Sequence, residues 1–174
     1  MAWQIDPAHS SATFAVKHAM VTTVRGHFKV LNGTLEIDEA HPENSSVAAQ
    51  VETASIDTRD ERRDGHLRSA DFFEADKYPT ITFKSTKVEK TGDETYRVLG
   101  ILDMHGVQKE VAFNAEYSGQ HKDAYGNIRA GLNATTQLNR KDFGLNWNAA
   151  LEAGGVLVSD SVKLEIDLSV TQQS

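Results

Sequence analysis

Arginine side chains cluster in one segment of the chain, between residues 57 and 85. The cationic side chains that stand there at helical spacing are Arg59, Arg62, Arg63, His66 and Arg68. Guanidinium groups gathered on one surface are suited to binding anions such as phosphate. The cluster therefore favours a cationic lid over the opening of a binding site. The alternative is a solvated helix, because acidic residues interleaved with these cations can pair with them at i,i+3 and i,i+4 spacing.

A short helix is predicted around residues 59–69 to carry these side chains. Thr58 and Glu61 fit a capping box, in which each side chain accepts a hydrogen bond from a backbone N–H group at the start of a helix. Tyr78-Pro79 ends the segment, because a proline disfavours helical conformation in the residue before it. Alternation between apolar and polar residues resumes at Ile81, which is typical of a strand.

Two further sets of residues invite a metal-binding or catalytic interpretation. Histidines recur at nine-residue intervals as His9, His18 and His27, but no ligand pair at i,i+2 or i,i+4 spacing accompanies them. Asp6, His9 and Ser10 are the residue types of a nucleophilic triad, yet adjacent residues of a strand point to opposite faces and no nucleophile elbow is present. We therefore predict no catalytic residue, no metal, no cofactor and no enzymatic activity.

Length and composition indicate one globular domain that spans residues 1–174. The chain has 174 residues and a mass of 19.1 kDa, which is enough for one core and short for two. Its net charge of -7 and isoelectric point near 5.4 argue against nucleic-acid binding, which needs a clustered basic surface. The absence of cysteine excludes disulfides and thiolate metal sites.

The sequence contains no pattern typical of membrane targeting. Its first residues lack the charged and apolar regions of a signal peptide, and no apolar run approaches ~18 residues. No stable membrane insertion is therefore expected. A cytoplasmic location is expected, or a periplasmic one if a leader has been removed.

Alternating apolar and polar residues predict about eight strands joined by short turns. Because only one connection is long enough to hold a helix, successive strands are expected to pair antiparallel. The apolar positions change parity between Val30 and Gly33, which predicts a bulge or a sharp bend there. A sheet of this size removes its exposed edges by closing on itself. We therefore predict an all-β fold, an eight-stranded antiparallel barrel with one short helix; a two-sheet sandwich is the alternative.

Several motifs distributed along nearly the whole chain carry a resemblance to a known family. They are Trp3-Gln-Ile-Asp-Pro7, His9-Ser10, Phe14 with Val16-Lys17-His18, Arg25-Gly26 with Phe28, Asp64-Gly-His-Leu-Arg-Ser-Ala-Asp-Phe-Phe73, Tyr78-Pro79 with Ile81 and Phe83, Gly100 with Leu102 and Gly106, Asn139-Arg140 with Asp142-Phe-Gly144, and Val158-Ser-Asp with Val162. Through them the chain resembles the YceI-like family, whose members are lipocalin-like barrels that bind polyisoprenoids and related long-chain lipids. The resemblance implies a barrel interior that holds an apolar tail, a helix and loops near one opening, and a homodimer.

The inward-facing positions of the predicted strands supply the wall of such an interior. They are Phe14, Val16, Phe28, Leu35, Ile37, Val51, Ile81, Phe83, Val98, Leu102, Val111, Phe113, Leu132, Leu164 and Ile166. Without the resemblance, packing of these side chains against each other would be expected, because small barrels are usually filled. With it, the interior is expected to bind a long isoprenoid chain by removing apolar surface from water.

A polar head group would be held at the mouth of the barrel. For a diphosphate the candidate residues are Arg63, His66, Arg68 and Arg140. Alternatively, Arg68 and Arg140 pair with Asp71 and Asp142 and hold loops in place. A quinone or a fatty amide would need only one hydrogen bond at the mouth.

The leading hypothesis is non-catalytic binding of a long-chain isoprenoid lipid, either a polyprenyl diphosphate or an isoprenoid quinone, for transport, storage or stress response. One alternative is an enzyme of isoprenoid or quinone metabolism with its site at the barrel mouth. Others are a protein that binds a fatty acid or fatty amide, and a structural module with a filled core.

Overall fold

The computed structural model describes residues 2–149, 151 and 157–173, and most of them lie in β-strands. The strands are β1 Ala2–Ile5, β2 Ser11–His18, β3 Thr22–Phe28, β4 Leu31–Glu36, β5 Ser46–Glu52, β6 Ile56–Asp57, β7 Thr80–Lys90, β8 Thr95–Met104, β9 Val107–Lys122, β10 Ile128–Asn139 and β11 Val158–Gln172. Within the described ranges the one α-helix is α1, Glu61–Arg68. Short 3-10 helices cover Pro7–His9, Pro42–Asn44, Thr53–Ser55 and Arg140–Phe143.

The strands close into a ring in which every neighbouring pair is antiparallel. The ring runs β1-β4-β5-β7-β8-β9-β10-β11 and returns to β1. Strand β11 is long enough to pair with β1 through residues 170–172 and with β2 through residues 158–167. Strands β2, β3 and β6 extend the wall beyond that point, so β1 with β2, and β3 with β4, each act as one interrupted strand. The predicted eight-stranded antiparallel barrel is confirmed, and closure excludes the sandwich.

The interruption between β3 and β4 covers residues 29–30 and overlaps at Val30 the stretch from Val30 to Gly33 where the change of parity predicts a bend. Strand β3 ends at Phe28 and β4 begins at Leu31. In β4, Gly33 has a φ of 153°, and a Cβ atom added there would stand 2.3 Å from the carbonyl oxygen of Ala48 on β5. Glycine is required at this position because any side chain would collide with the neighbouring strand.

The strand directions place the connecting segments at two opposite ends of the barrel. One end, which we call the helix end, carries residues 53–79 with α1, the turn at residues 105–106 and the loop that begins at residue 140. The other end, which we call the far end, carries residues 37–45, 91–94 and 123–127. The segment with α1 and the loop that begins at residue 140 therefore lie at the same end of the barrel.

The start of α1 differs from the predicted capping box. The N-cap residue is Asp60, whose carboxylate accepts a hydrogen bond from the backbone N–H of Arg63 at 3.1 Å. The Thr58 hydroxyl instead donates to the carboxylate of Asp64 at 2.6 Å. The capping box was wrong because Asp and Thr are both good N-cap residues, and the aspartate two positions later takes the role.

A charge cluster at the far end ties the N-terminal segment to the barrel. The guanidinium of Arg129 donates to the carboxylates of Asp6 and Asp123, each at 2.8 Å. The ring of His9 lies 2.8 Å from the same Asp6 carboxylate. The contacts with His9 and Arg129 lower the pKa of Asp6 to about 2, and the contact with Arg129 lowers the pKa of Asp123 to about 2.

These lowered pKa values predict how stability changes in acid. A carboxylate with a lower pKa in the folded state stabilises the fold above its unfolded pKa, which is about 3.9 for Asp, and that stabilisation is lost as pH falls toward the folded pKa. We expect the melting temperature to fall as pH drops from about 4 to about 2. Arg129→Met should lower the melting temperature at pH 7 by a few degrees and make this fall smaller. Thermal unfolding followed by circular dichroism checks both; an unchanged acid profile in Arg129→Met contradicts the prediction.

Candidate ligand-binding site in the barrel interior

The barrel interior contains an apolar cavity of about 160 Å³. Predicted wall residues that line it are Phe28, Leu35, Val51, Ile81, Phe83, Val98, Leu102, Phe113, Leu132, Leu164 and Ile166. Further lining residues are Ala12, Leu31, Val47, Ala49, Met104, Ala115, Ala134 and Leu168. Many of these are alanines. Alternation is a weak signal that an alanine faces inward, because alanine occurs on both faces of a strand. Their shared parity with bulkier neighbours was the available signal.

The remaining predicted wall residues lie outside this cavity. Ile37 lines a second cavity near the far end. Phe14 packs its ring against Phe28, with ring centroids 5.8 Å apart, and Val111 packs against the core cluster. Val16 is half-buried on β2, where it pairs with Val24 and Val162. The prediction thus placed most of its residues around one apolar space.

The second cavity, of about 80 Å³, continues the first toward the far end. The side chains that line both are Leu35, Val47, Val98, Ala115 and Leu132. Its outer wall is formed by residues 36–39, Pro42, Tyr96 and Tyr117. The two cavities therefore adjoin each other between the middle of the barrel and the far end, with an apolar wall between them and acidic residues at the outer side of the second.

Aromatic side chains cover the helix end of the barrel. Phe73 packs edge-on against the wall residue Phe28, with centroids 6.1 Å apart. Phe72 is buried and contacts Trp147 at 5.3 Å, and His66 contacts the same indole at 4.6 Å. These contacts join the segment after α1 to the loop after β10.

The predicted head-group residue Arg63 holds the start of α1. Its Nε atom donates to the Thr58 hydroxyl at 2.8 Å, and its Nη2 atom donates to the Thr58 carbonyl at 2.7 Å. Asp64 is buried and accepts from both the backbone N–H and the hydroxyl of Thr58, at 2.9 and 2.6 Å. Thr58 therefore anchors α1 to the barrel through Arg63 and Asp64.

The Asp64 anchor yields a stability prediction. We expect Asp64→Ala to destabilise the protein by about 1–3 kcal/mol, because it leaves the buried N–H and hydroxyl of Thr58 without their acceptor. Urea denaturation measures the change. Glu61→Ala, which removes an exposed acid from the same helix, is the matched control and should cost no more than about 0.5 kcal/mol. Equal effects of the two substitutions would show that the buried carboxylate has no special role.

The predicted head-group residues His66 and Arg68 have different surroundings. His66 lies 2.9 Å from the Asp71 carboxylate, the acid that the alternative interpretation assigns to Arg68. The guanidinium of Arg68 makes no hydrogen bond or ion pair with any residue in the described ranges. His66 is thus held in place, whereas the Arg68 guanidinium has no such partner among the described residues.

Arg140 is buried with only 4% of its surface exposed, and backbone carbonyl groups surround it. Its Nη1 atom donates to the carbonyls of Leu145 and Trp147, at 2.5 and 2.9 Å. Its Nε and Nη2 atoms donate to the carbonyls of Ser159 and Val158, at 3.0 and 3.2 Å. The acid that it approaches among the described residues is Asp160 at 4.0 Å, in place of the Asp142 of the alternative interpretation. These bonds join the loop after β10 to β11.

The residues of the triad interpretation do not form a nucleophile and base pair. The Ser10 hydroxyl donates to the Ser169 carbonyl at 3.2 Å and accepts from the Ser169 N–H at 3.0 Å. The His9 ring is directed at Asp6. Across the described part of the chain, no three histidine or acidic side chains come together as a metal site would require. No helix within those residues is long and apolar enough to cross a membrane.

A closed antiparallel barrel with an apolar interior and one end covered by a short helix defines a lipocalin-like protein. The family model described as YceI-like domain matches residues 3–170, so the chain belongs to the YceI-like family. A UPF0312 protein of Pseudomonas putida is 40% identical over 162 residues, which cover 93% of this chain and 80% of that protein. The resemblance inferred from the sequence motifs is confirmed.

Solved structures show the same fold. BcnA of Burkholderia cenocepacia superposes with a TM-score of 0.84 at 22% identity, covering 95% of this chain and 98% of that one. A domain of Saccharophagus degradans, described as a polyisoprenoid binding domain implicated in plant cell wall breakdown, superposes with a TM-score of 0.71 at 17% identity. That alignment covers 98% of both chains. At these identities the likeness concerns the fold.

Proposed function

We propose that this protein binds a long apolar chain of the isoprenoid class inside its barrel and leaves the chain chemically unchanged. The observation that carries the proposal is the pair of adjoining cavities, whose shared wall is made of apolar side chains. Such a wall binds by removing apolar surface from water, at ~25 cal/mol per Å². It needs no specific polar contact along the tail.

The size of the interior indicates how a long tail would fit. The cavities of about 160 and 80 Å³ are together smaller than the roughly 300–1,000 Å³ of typical ligand pockets. A long chain must therefore displace wall side chains or extend beyond the barrel. Phe83 and Phe113, whose rings meet edge to face at 5.0 Å, and the flexible side chain of Met104 lie where such displacement would occur.

The isoprenoid class comes from the family and from one structural neighbour. That neighbour is described as a polyisoprenoid binding domain, and its barrel superposes on nearly the whole of this chain. The absence of a paired nucleophile and base at Ser10 and His9 favours binding over catalysis. Transport or storage of the lipid, a cytoplasmic location and a homodimeric state stay predictions within this proposal.

Mass spectrometry of the purified protein tests the proposal. Native spectra and organic extracts should contain a lipid with a long apolar chain, bound at one copy per barrel. Added polyprenol should raise the melting temperature of delipidated protein and be recovered unchanged after incubation. If no lipid copurifies and added polyprenol causes no thermal shift, the proposed binding function is overturned. Recovery of a chemically altered lipid would favour an enzyme.

A further inference from the structure

We infer that the lipid enters and leaves at the far end of the barrel, through a portal closed by the Tyr117–Glu39 hydrogen bond, and that the portal accepts an uncharged head group such as a hydroxyl and rejects a phosphate. This inference rests on the proposed function and deepens it. It places the head group at the end of the barrel opposite α1.

The portal is the outer part of the second cavity. Strands β8 and β9 form one side through Tyr96, Val98 and Tyr117, and the segment of residues 37–45 forms the other. The cavity shares its inner wall with the central one, so a chain that passes the portal meets a predominantly apolar wall beyond it, in which Thr13, Gln50 and Thr82 are the polar residues. The helix end instead presents the aromatic contacts of Phe72, Phe73 and Trp147.

The portal segment is a small unit with its own hydrogen bonds. The Asp38 N–H donates to the Ser45 hydroxyl at 3.0 Å, and the His41 N–H donates to the Asp38 carboxylate at 2.9 Å. These bonds hold the segment in a compact loop without tying it to β8 or β9. Residues 42–44 of the segment also pack against β7. When the contact with β9 is broken, we expect the loop to move away from β9 while it stays on β7.

That contact is the hydrogen bond from the Tyr117 hydroxyl to the Glu39 carboxylate, at 2.7 Å. The two residues stand on opposite sides of the cavity mouth and are 78 positions apart in the chain. Burial and the nearby Glu39 raise the pKa of Tyr117 above its usual range, so the phenol stays protonated and remains a donor. Among the described residues this is the one side-chain hydrogen bond that joins the segment of residues 37–45 to β9.

The charge at the mouth decides which head group fits. Glu36, Asp38 and Glu39 line the cavity, and no lysine, arginine or histidine among the described residues does. The N–H of His41 lowers the pKa of Asp38, which is therefore ionised at neutral pH. Carboxylates repel phosphate oxygens, whereas a hydroxyl can accept from Tyr117 and donate to Glu39 at once. A hydroxyl head group can therefore replace the Tyr117–Glu39 hydrogen bond, and both side chains keep a hydrogen-bond partner.

Binding of three ligands with one tail tests the head-group preference. Geranylgeraniol, its methyl ether and its monophosphate are titrated calorimetrically into delipidated protein. We expect the alcohol to bind best, the ether a few-fold more weakly and the phosphate at least about tenfold more weakly.

Variants of the acidic residues test the cause of this preference. Asp38→Asn with Glu39→Gln should reduce the difference in affinity between the alcohol and the phosphate. Glu43→Gln, which changes an exposed acid on the same loop outside the cavity wall, should leave that difference unchanged. Phosphate binding as tight as the alcohol overturns the inference, and failure of all three ligands to bind overturns the proposed function itself.

A reversible cross-link tests the portal. The natural chain has no cysteine, so Glu39→Cys with Tyr117→Cys can be joined specifically by a reducible bis-maleimide. We expect the cross-link to slow geranylgeraniol association in stopped-flow fluorescence at least about tenfold, and reductant to restore the rate. Tyr117→Phe, which only removes the hydroxyl, should speed association, and Asp71→Asn at the helix end should leave it unchanged. Unhindered association in the cross-linked protein, or acceleration by Asp71→Asn alone, would place the portal elsewhere.

Discussion

Ala115→Trp should reduce affinity for a long apolar chain by about 100-fold, which corresponds to a loss of about 2.7 kcal/mol of binding free energy. Ala115 has 4% of its surface exposed and lines both interior cavities. An indole placed there occupies the passage between the cavities and leaves no space for a tail. Titration of delipidated protein with geranylgeraniol measures the loss.

The neighbouring position provides a matched control for this substitution. Asn114 is exposed and points to the outer face of β9, so Asn114→Trp should leave affinity unchanged. Overpacking at Ala115 is expected to cost about 1–3 kcal/mol of stability, which urea denaturation checks independently. If the indole unfolds the protein, Ala115→Met adds less volume and should lower affinity in a folded barrel. Wild-type affinity in a folded Ala115 variant would show that the ligand binds outside the interior.

The sequence predicted the barrel well because strand alternation reports which side chains face inward. Leu102 and Phe113 were placed in the wall by parity alone, and both line the central cavity. The parity change between Val30 and Gly33 indicated the break between β3 and β4, because the side chains that face inward change parity there. Alternation depends only on local geometry, because successive side chains of a strand point to opposite faces, and the order of apolar and polar residues in the sequence shows it directly.

The roles of the charged residues could not be read in this way. An arginine in the sequence is compatible with binding a ligand, pairing with an acid or holding a loop, and the choice depends on residues far along the chain. Arg140 is held by the carbonyl groups of Leu145, Trp147, Val158 and Ser159, and a backbone carbonyl leaves no mark in the residue types of a sequence. The Tyr117–Glu39 contact joins residues 78 positions apart and was not predicted for the same reason.

Arg140→Met is expected to cause a large loss of stability, about 3–5 kcal/mol. The substitution keeps much of the side-chain volume but removes every donor, so the carbonyls of Leu145, Trp147 and Ser159 lose the guanidinium as their partner. The Val158 carbonyl keeps only its bond from the Asn148 amide. These carbonyls belong to the loop after β10 and to β11, which should separate from each other. Urea denaturation measures the free energy of unfolding, and hydrogen exchange should show increased exchange at the start of β11.

Two further substitutions separate the structural role of Arg140 from a role in ligand binding. Lys141→Met removes an exposed cation that lies 3.4 Å from Asp160, and such a surface pair should contribute at most about 1 kcal/mol. Arg140→Lys keeps the charge but cannot reach four carbonyls in different directions, so its stability should fall between the wild type and Arg140→Met. If Arg140 instead held a phosphate head group, Arg140→Lys would retain part of the phosphate affinity and Arg140→Met would remove it at unchanged stability. Because the guanidinium already donates to four carbonyls, we expect the opposite result. Stability should fall further as more hydrogen-bond donors are removed, from the wild type to Arg140→Lys to Arg140→Met. The affinity of each folded variant for an uncharged isoprenoid should stay the same.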